Sequence, residues 1–228
     1  MKILILGYGL LGKELHKQTG WDFLTYEKDG IDANHFETFI EPLSNADTII
    51  NCIGYTKTYD EERDNHWNVN YKFVADLVDY CSVNGKKLVH ISTDYLYVHT
   101  SGANSEKSIP VHQETWYAYC KLLADGYVQL RAKDYLMFRC SFKPKPFPYK
   151  VAYGGVYGNF DYVDVVAGQM VELINEDRSG VWNIGTKLKT ITELAQQTNP
   201  DIEEITAVSG SKMPTWLSMN LSKFLHRK

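Results

Sequence analysis

The chain has 228 residues, 44% of them apolar, and its 24 Lys and Arg against 28 Asp and Glu give a formal charge of −4. That length accommodates one α/β domain, or one with a small annex, around a sizeable core, and the charge balance excludes the basic surface of a nucleic-acid binder. Cys52, Cys81, Cys120 and Cys140 form no Cys-x-x-Cys pair or Cys/His cluster, which argues against a zinc site and a disulfide framework; no apolar run reaches the length of a membrane span, so a cytoplasmic protein is expected.

Apolar runs at residues 2–6, 22–26, 48–53, 87–91 and 135–140 predict five short strands. The first, third, fourth and fifth are apolar on both faces, as strands of a parallel sheet covered by helices must be. Helices are expected at 10–19, 34–39 and 117–131. Between the third and fourth strands Val69, Phe73, Val74, Leu77, Val78 and Cys81 recur at the 3.6-residue period of a helix that Asn84-Gly85 stops. Alternating strand and helix predicts an α/β fold, a doubly wound parallel sheet of Rossmann type with right-handed crossovers. The texture changes after Cys140. Pro144, Pro146 and Pro148, set among Tyr and Gly, mark residues 141–159 as an ordered aromatic loop; a helix at 161–177, a strand at 180–185, a short helix at 190–198 and a strand at 204–208 follow. The boundary divides the chain into a core at 1–140 and a small C-terminal lobe at 141–228, packed together as one compact unit.

Gly7-Tyr8-Gly9-Leu10-Leu11-Gly12 fits G-x-G-x-x-G between the first strand and the first helix, the context in which that pattern binds a dinucleotide. Gly7 permits the turn, Gly9 lets the backbone approach a pyrophosphate, and Gly12 lets helix pack on strand. The N–H groups around Leu10 and Leu11 then meet the phosphates at the positive end of a helix dipole. Glu27, about 20 residues on at the end of the second strand, is placed for the ribose hydroxyls and favours NAD, whereas Lys28 suits a 2′-phosphate; the cofactor is NAD(P)H on this reading. Asp32 is either a partner for the adenine edge or a helix N-cap.

Tyr117-Ala118-Tyr119-Cys120-Lys121 puts Tyr117 and Lys121 on one helix face. An ammonium beside a phenol lowers the phenol's pKa from about 10 toward a working range, so Tyr117 can give a proton to a carbonyl oxygen as hydride arrives at the carbon. Thr93, in His90-Ile91-Ser92-Thr93-Asp94 at the carboxyl end of the fourth strand, where ligands bind in such sheets, either polarises the same carbonyl or caps a turn. Cys52, Ile53 and Gly54 follow Asn51 at the end of the third strand and lie where the backbone meets the cofactor. Asn70 is read as supporting the site by a buried backbone hydrogen bond, or as a plain N-cap.

These residues together resemble the extended short-chain dehydrogenases, and among them the dTDP-4-dehydrorhamnose reductases. The family's N-A-A-A-Y-T is similar to Asn51-Cys52-Ile53-Gly54-Tyr55-Thr56, its S-T-D-Y-V-F to Ser92-Thr93-Asp94-Tyr95-Leu96-Tyr97, and its Y-G-x-S-K-L-x-G-E to the segment from Tyr117 to Asp125; Arg139 matches its strand-5 arginine. The resemblance implies a Rossmann core at 1–140, a reduced substrate lobe at 141–228, and reduction of a nucleotide-linked 4-keto sugar by Thr93, Tyr117 and Lys121. Tyr55, Asp94, Arg139 and Phe142 fall at substrate-facing positions. Tyr95 stands where related dehydratases carry a glutamate, which argues against dehydration. Family members pair through the helices before the fourth and fifth strands, so a homodimer with Trp67 and Trp116 at its face is one expectation.

Departures qualify this. The glycine loop is one residue shorter than the family's G-x-x-G-x-x-G, and the chain is short. Lys143, Lys145, Lys150 and Tyr153 are read as a solvated basic loop rather than a diphosphate site. A non-catalytic NAD(P)-binding regulatory or scaffold protein and an NAD-dependent sugar-nucleotide epimerase are the competing readings.

Overall fold

The computed structural model describes residues 2–98, 102–108, 110, 114–206 and 212–227. In chain order β1 (Ile3–Leu6), α1 (Leu10–Thr19), β2 (Asp22–Leu24), α2 (Tyr26–Asp29), α3 (Glu37–Leu43) and β3 (Thr48–Asn51) are followed by α4 (Arg63–Trp67), α5 (Phe73–Val83), β4 (Lys87–Ile91), α6 (Trp116–Arg131) and β5 (Tyr135–Arg139). A π-turn, Asn68–Lys72, joins α4 to α5, and a 3₁₀ turn, Asp94–Tyr97, follows β4. Then come β6 (Phe142–Lys143), β7 (Val151–Tyr153), β8 (Tyr157–Gly158), β9 (Asp161–Tyr162), α7 (Val163–Asn175), β10 (Gly180–Asn183), β11 (Lys189–Thr190), α8 (Ile191–Ala195), β12 (Glu203–Ile205), β13 (Trp216–Leu217) and α9 (Ser222–Leu225).

Among the described residues β10-β5-β4-β3-β1-β2 form one six-stranded sheet, parallel at every pairing. The two-residue period of each strand sends alternate side chains to opposite helix layers. Ile3, Ile5, Ile50, Val89, Leu136 and Phe138 face Leu11 and Leu15 of α1 and Val166, Ala167 and Met170 of α7. Leu4, Leu6, Ile49, Leu88 and Met137 face Phe39 of α3, Phe73 and Leu77 of α5, and Ala124 and Val128 of α6. Chain order reverses across β1, between β2 and β3, so a crevice opens beyond the carboxyl ends of those strands.

The expected doubly wound sheet is present, with several boundaries changed. The second strand stops at Leu24, and the third at Asn51, because Cys52 pairs only through its N–H to the Leu6 carbonyl (2.9 Å). The helix expected at 34–39 begins instead at Glu37, after a turn held by Asp32. The helix expected at 161–177 is preceded by β9, and the loop at 141–159 contains β6, β7 and β8. The strand expected at 204–208 lies partly outside the described residues; β12 ends at Ile205. A cut at residue 140 passes through the main sheet, because β10 and α7 lie beyond it, on β5 and α1.

Candidate active site

α1 starts at Gly9 without a side-chain cap, leaving its first N–H groups free for an anion. Gly7 has φ +90°, a conformation only glycine adopts readily. A Cβ on Gly12 would lie 2.0 Å from the Gly7 carbonyl oxygen, whereas one on Gly9 would project into open space. The cradle therefore has the form a pyrophosphate requires, and NAD(P) fits these residues. Ile53 closes over Gly7: a Cβ there would meet the Ile53 side chain at 3.0 Å. Leu10 is exposed, but Leu11 is turned into the core, so only its backbone faces the crevice. Glu27 is not at a strand end. It sits exposed in the first turn of α2, whose cap Thr25 accepts from the Lys28 N–H (3.0 Å). Asp32 accepts from the Asn34 N–H (2.9 Å), so its turn-holding role is visible.

Thr93 and Asp94 leave β4 at its carboxyl end, and both are buried. Thr93 caps the 3₁₀ turn by accepting from the Tyr95 N–H (3.2 Å) and donates to Asp94 Oδ1 (3.3 Å). On α6, capped by Thr115, Tyr117 and Lys121 lie one turn apart. Burial pushes the Tyr117 phenol up to about 12, opposed by the donor character of the nearby Thr93 hydroxyl and assisted by the charge of Asp94. The expected depression of the phenol by Lys121 is therefore not found. The ammonium instead donates to the Ile91 carbonyl (2.5 Å), and burial lowers it to about 8. Cys140 lies close enough to act electrostatically on both Tyr117 and Lys121. Burial pushes Cys52 up to about 12, so that thiol is protonated and unreactive at neutral pH.

Other expected positions fall elsewhere. Arg139 is 3% exposed and fully engaged: Nε and Nη2 reach the Asp125 carboxylate (3.0 and 2.7 Å), and Nη1 reaches Tyr97 Oη (2.9 Å). A buried guanidinium so committed fixes α6 to β5 and is unavailable to a substrate. Phe142 packs against the core on the α7 side, and its strand pairs with β9. Lys143 is not a solvated loop residue. It is half-buried in β6, and desolvation lowers its pKa while Asp94 raises it.

A second network was missed in the sequence. Asn70, in the π-turn, accepts from the Tyr55 N–H (2.9 Å) and donates to the Tyr55 carbonyl (2.9 Å). Its amide also donates to Nδ1 of the fully buried His66 (3.2 Å), which leaves Nε2–H of His66 to donate to Asp60 (3.0 Å). The Tyr55 hydroxyl closes the ring on Asp60 (2.6 Å). The network holds the Gly54-Tyr55 loop beside Tyr117, whose ring is 6.2 Å from that of His66. Asn70 thus has the supporting role expected of it; Asp60 lies in the loop before α4, so its place beside His66 and Tyr55 is a contact that helical spacing does not mark.

A doubly wound parallel sheet with a glycine-rich first turn, and a helix carrying Tyr117 and Lys121 beside the carboxyl end of β4, is the architecture of the extended short-chain dehydrogenases. The RmlD substrate binding domain model matches residues 1–143, and the chain belongs to that family. No curated protein sequence matches the chain. Among solved structures it is similar to a hypothetical dTDP-4-dehydrorhamnose reductase from Sulfolobus tokodaii (TM-score 0.83, 22% identity, 100% of this chain and 95% of that one). It is also similar to the dTDP-4-dehydrorhamnose reductase of Bacillus anthracis in complex with NADP (0.82, 19%, 99% and 92%). A third is a dTDP-glucose 4,6-dehydratase double mutant from Streptomyces venezuelae with NAD and DAU bound (0.80, 17%, 100% and 90%). No helix among the described residues is long and apolar enough to cross a membrane.

Proposed function

We propose that the protein is an NAD(P)H-dependent reductase of a nucleotide-linked 4-keto sugar. The observation that carries this reading is the convergence of Thr93, Tyr117 and Lys121 at the carboxyl ends of parallel strands, beside an uncapped helix start shaped for pyrophosphate. Its family and the reductases and dehydratase it resembles support the same reading.

Gly7, Gly9 and Gly12 with the N–H groups of α1 would hold the dinucleotide, and Cys52–Gly54 would wall the adenosine side. When bound, the reduced nicotinamide supplies the hydride. Thr93 and Tyr117 hold the substrate carbonyl oxygen by their hydroxyl hydrogens and stabilise the negative charge that grows there. Tyr117 then transfers its phenolic proton to that oxygen. Lys121, anchored on the Ile91 carbonyl, keeps two ammonium hydrogens for the ribose hydroxyls.

The test follows absorbance of NADH or NADPH with a panel of 4-keto nucleotide sugars. The expected result is consumption that falls by about 10²- to 10⁴-fold in Tyr117→Phe while cofactor affinity is kept. Cofactor binding without turnover on any sugar would support a non-catalytic binding protein, and sugar interconversion without net oxidation an epimerase; either outcome overturns the reductase reading.

A further inference from the structure

One polar atom in the site has no partner. Asp94 is 0% exposed, its Oδ1 receives the Thr93 hydroxyl (3.3 Å), and Oδ2 is enclosed without a hydrogen bond. A buried carboxylate with an orphaned oxygen is costly, and a protonated carboxyl relieves that cost.

Thr93 has a single hydroxyl hydrogen. One of its lone pairs already receives the Tyr95 N–H. That hydrogen goes to Asp94 Oδ1 (3.3 Å), and the Tyr117 phenol is near enough for the Thr93 hydroxyl to act on it as a donor instead. An ionised Asp94 holds that hydrogen strongly, since charge-assisted hydrogen bonds are the stronger kind. A neutral Asp94 releases it toward the phenol and toward any carbonyl placed there.

We propose that Asp94 is a positioning residue whose protonation state directs the Thr93 hydroxyl, so that the reduction runs with Asp94 neutral and fails when it ionises. This rests on the reductase reading above. Both consequences of ionisation act in one direction. The Thr93 hydrogen turns away from the reacting oxygen, and a negative charge beside Tyr117 opposes loss of its proton. The groups that face Asp94 come from every side: Tyr59 from the loop after β3, the adjacent Tyr95, Tyr117 of α6, Cys140 at the end of β5, and Lys143 of β6. Lys143 is the one cation among them, and it favours the ionised form. Burial outweighs it and holds the carboxyl at about 7.

The half-buried Lys143 thereby gains a function: it sets where that switch falls. Substrate is not required to touch Asp94, which the burial forbids.

The test uses the full chain, NADPH and whichever 4-keto nucleotide sugar is reduced, with kcat/KM measured between about pH 5 and pH 9. The wild type should lose activity about tenfold per pH unit above neutrality. In Asp94→Asn that limb should move up toward the range in which Lys121 loses its proton, about 8. In Lys143→Met it should move upward too, because removing a cation raises the carboxyl's pKa. A limb unchanged in both variants would overturn the proposal.

An infrared difference spectrum of the same proteins gives an answer without turnover. The wild type should show a protonated-carboxyl band below neutrality that fades above it and is missing in Asp94→Asn, and Lys143→Met should keep that band to higher pH. No such band overturns the proposal even if reduction is observed. If no sugar is reduced but the band is present, the reductase reading falls while the protonated Asp94 stands.

Discussion

Gly9 and Gly12 are separated by one helical turn and have opposite duties. A methyl group on Gly12 collides with the Gly7 carbonyl, so Gly12→Ala must part α1 from β1 and should destabilise the fold, read as a lowered urea midpoint. A methyl group on Gly9 meets nothing within 4 Å. Gly9→Ala should therefore unfold like the wild type yet bind NADPH at least about tenfold more weakly, measured by fluorescence titration. Equal effects of the two substitutions on both readouts would argue against a pyrophosphate above this loop. Arg139 and Lys143 show the limit of reading residues singly. Each was found at its expected place in the chain, but the charge on a side chain says nothing about its partner. Arg139 turns to an aspartate fourteen residues earlier. Lys143 sits half-buried in β6, paired with Tyr162 of β9, within electrostatic reach of Asp94.

Among the elements α6 matters most, since it carries both Tyr117 and Lys121 and is fastened one turn below Lys121. There the Asp125 carboxylate receives Arg139, the Ser92 hydroxyl (2.8 Å) and Gln129 (2.7 Å). Removing one partner of a buried ion pair leaves the other charge uncompensated, at a cost of roughly 3–5 kcal/mol. Asp125→Leu should lower stability by that order in urea denaturation, and the loss should shrink when Arg139→Met is added. Full additivity of the two would deny the coupling. The strands and long helices were legible in the sequence because burial imposes the period: Leu77, Val78 and Cys81 of α5 are all buried as their spacing requires. The glycine loop and the Tyr117/Lys121 pair were legible because short-range backbone geometry dictates both. The ring through Tyr55, Asp60, His66 and Asn70 was not. It depends on contacts between the loop carrying Tyr55 and Asp60 and the helical face of His66 and Asn70, which spacing does not reveal.

Over the whole molecule the sheet interior carries a further titrating group. His90 is 0% exposed, one of its ring nitrogens has no partner, and burial with the nearby Lys121 ammonium lowers its pKa well below the ordinary value. The native state therefore holds the ring neutral, whereas the unfolded chain takes a proton below about 6.5. His90 thus withdraws stability progressively as pH falls through that value. The thermal midpoint should drop on acidification below about pH 6.5, and His90→Gln should flatten that drop. An unaltered acid slope in the variant would assign the loss to other groups.

The position of β10 sets an order of events in synthesis. This strand flanks β5, closes one margin of the sheet, and supplies Asn183, whose amide oxygen receives the Tyr97 hydroxyl (2.8 Å). A growing polypeptide that has emerged only to residue 140 would display β5 as a naked, apolar border, a template for pairing with other chains. The nascent chain must wait for residue 183 before its barrier against self-association is in place, so a fragment of residues 1–140 expressed alone should collect in the insoluble fraction. A soluble, monomeric fragment would mean that the first half seals its own border.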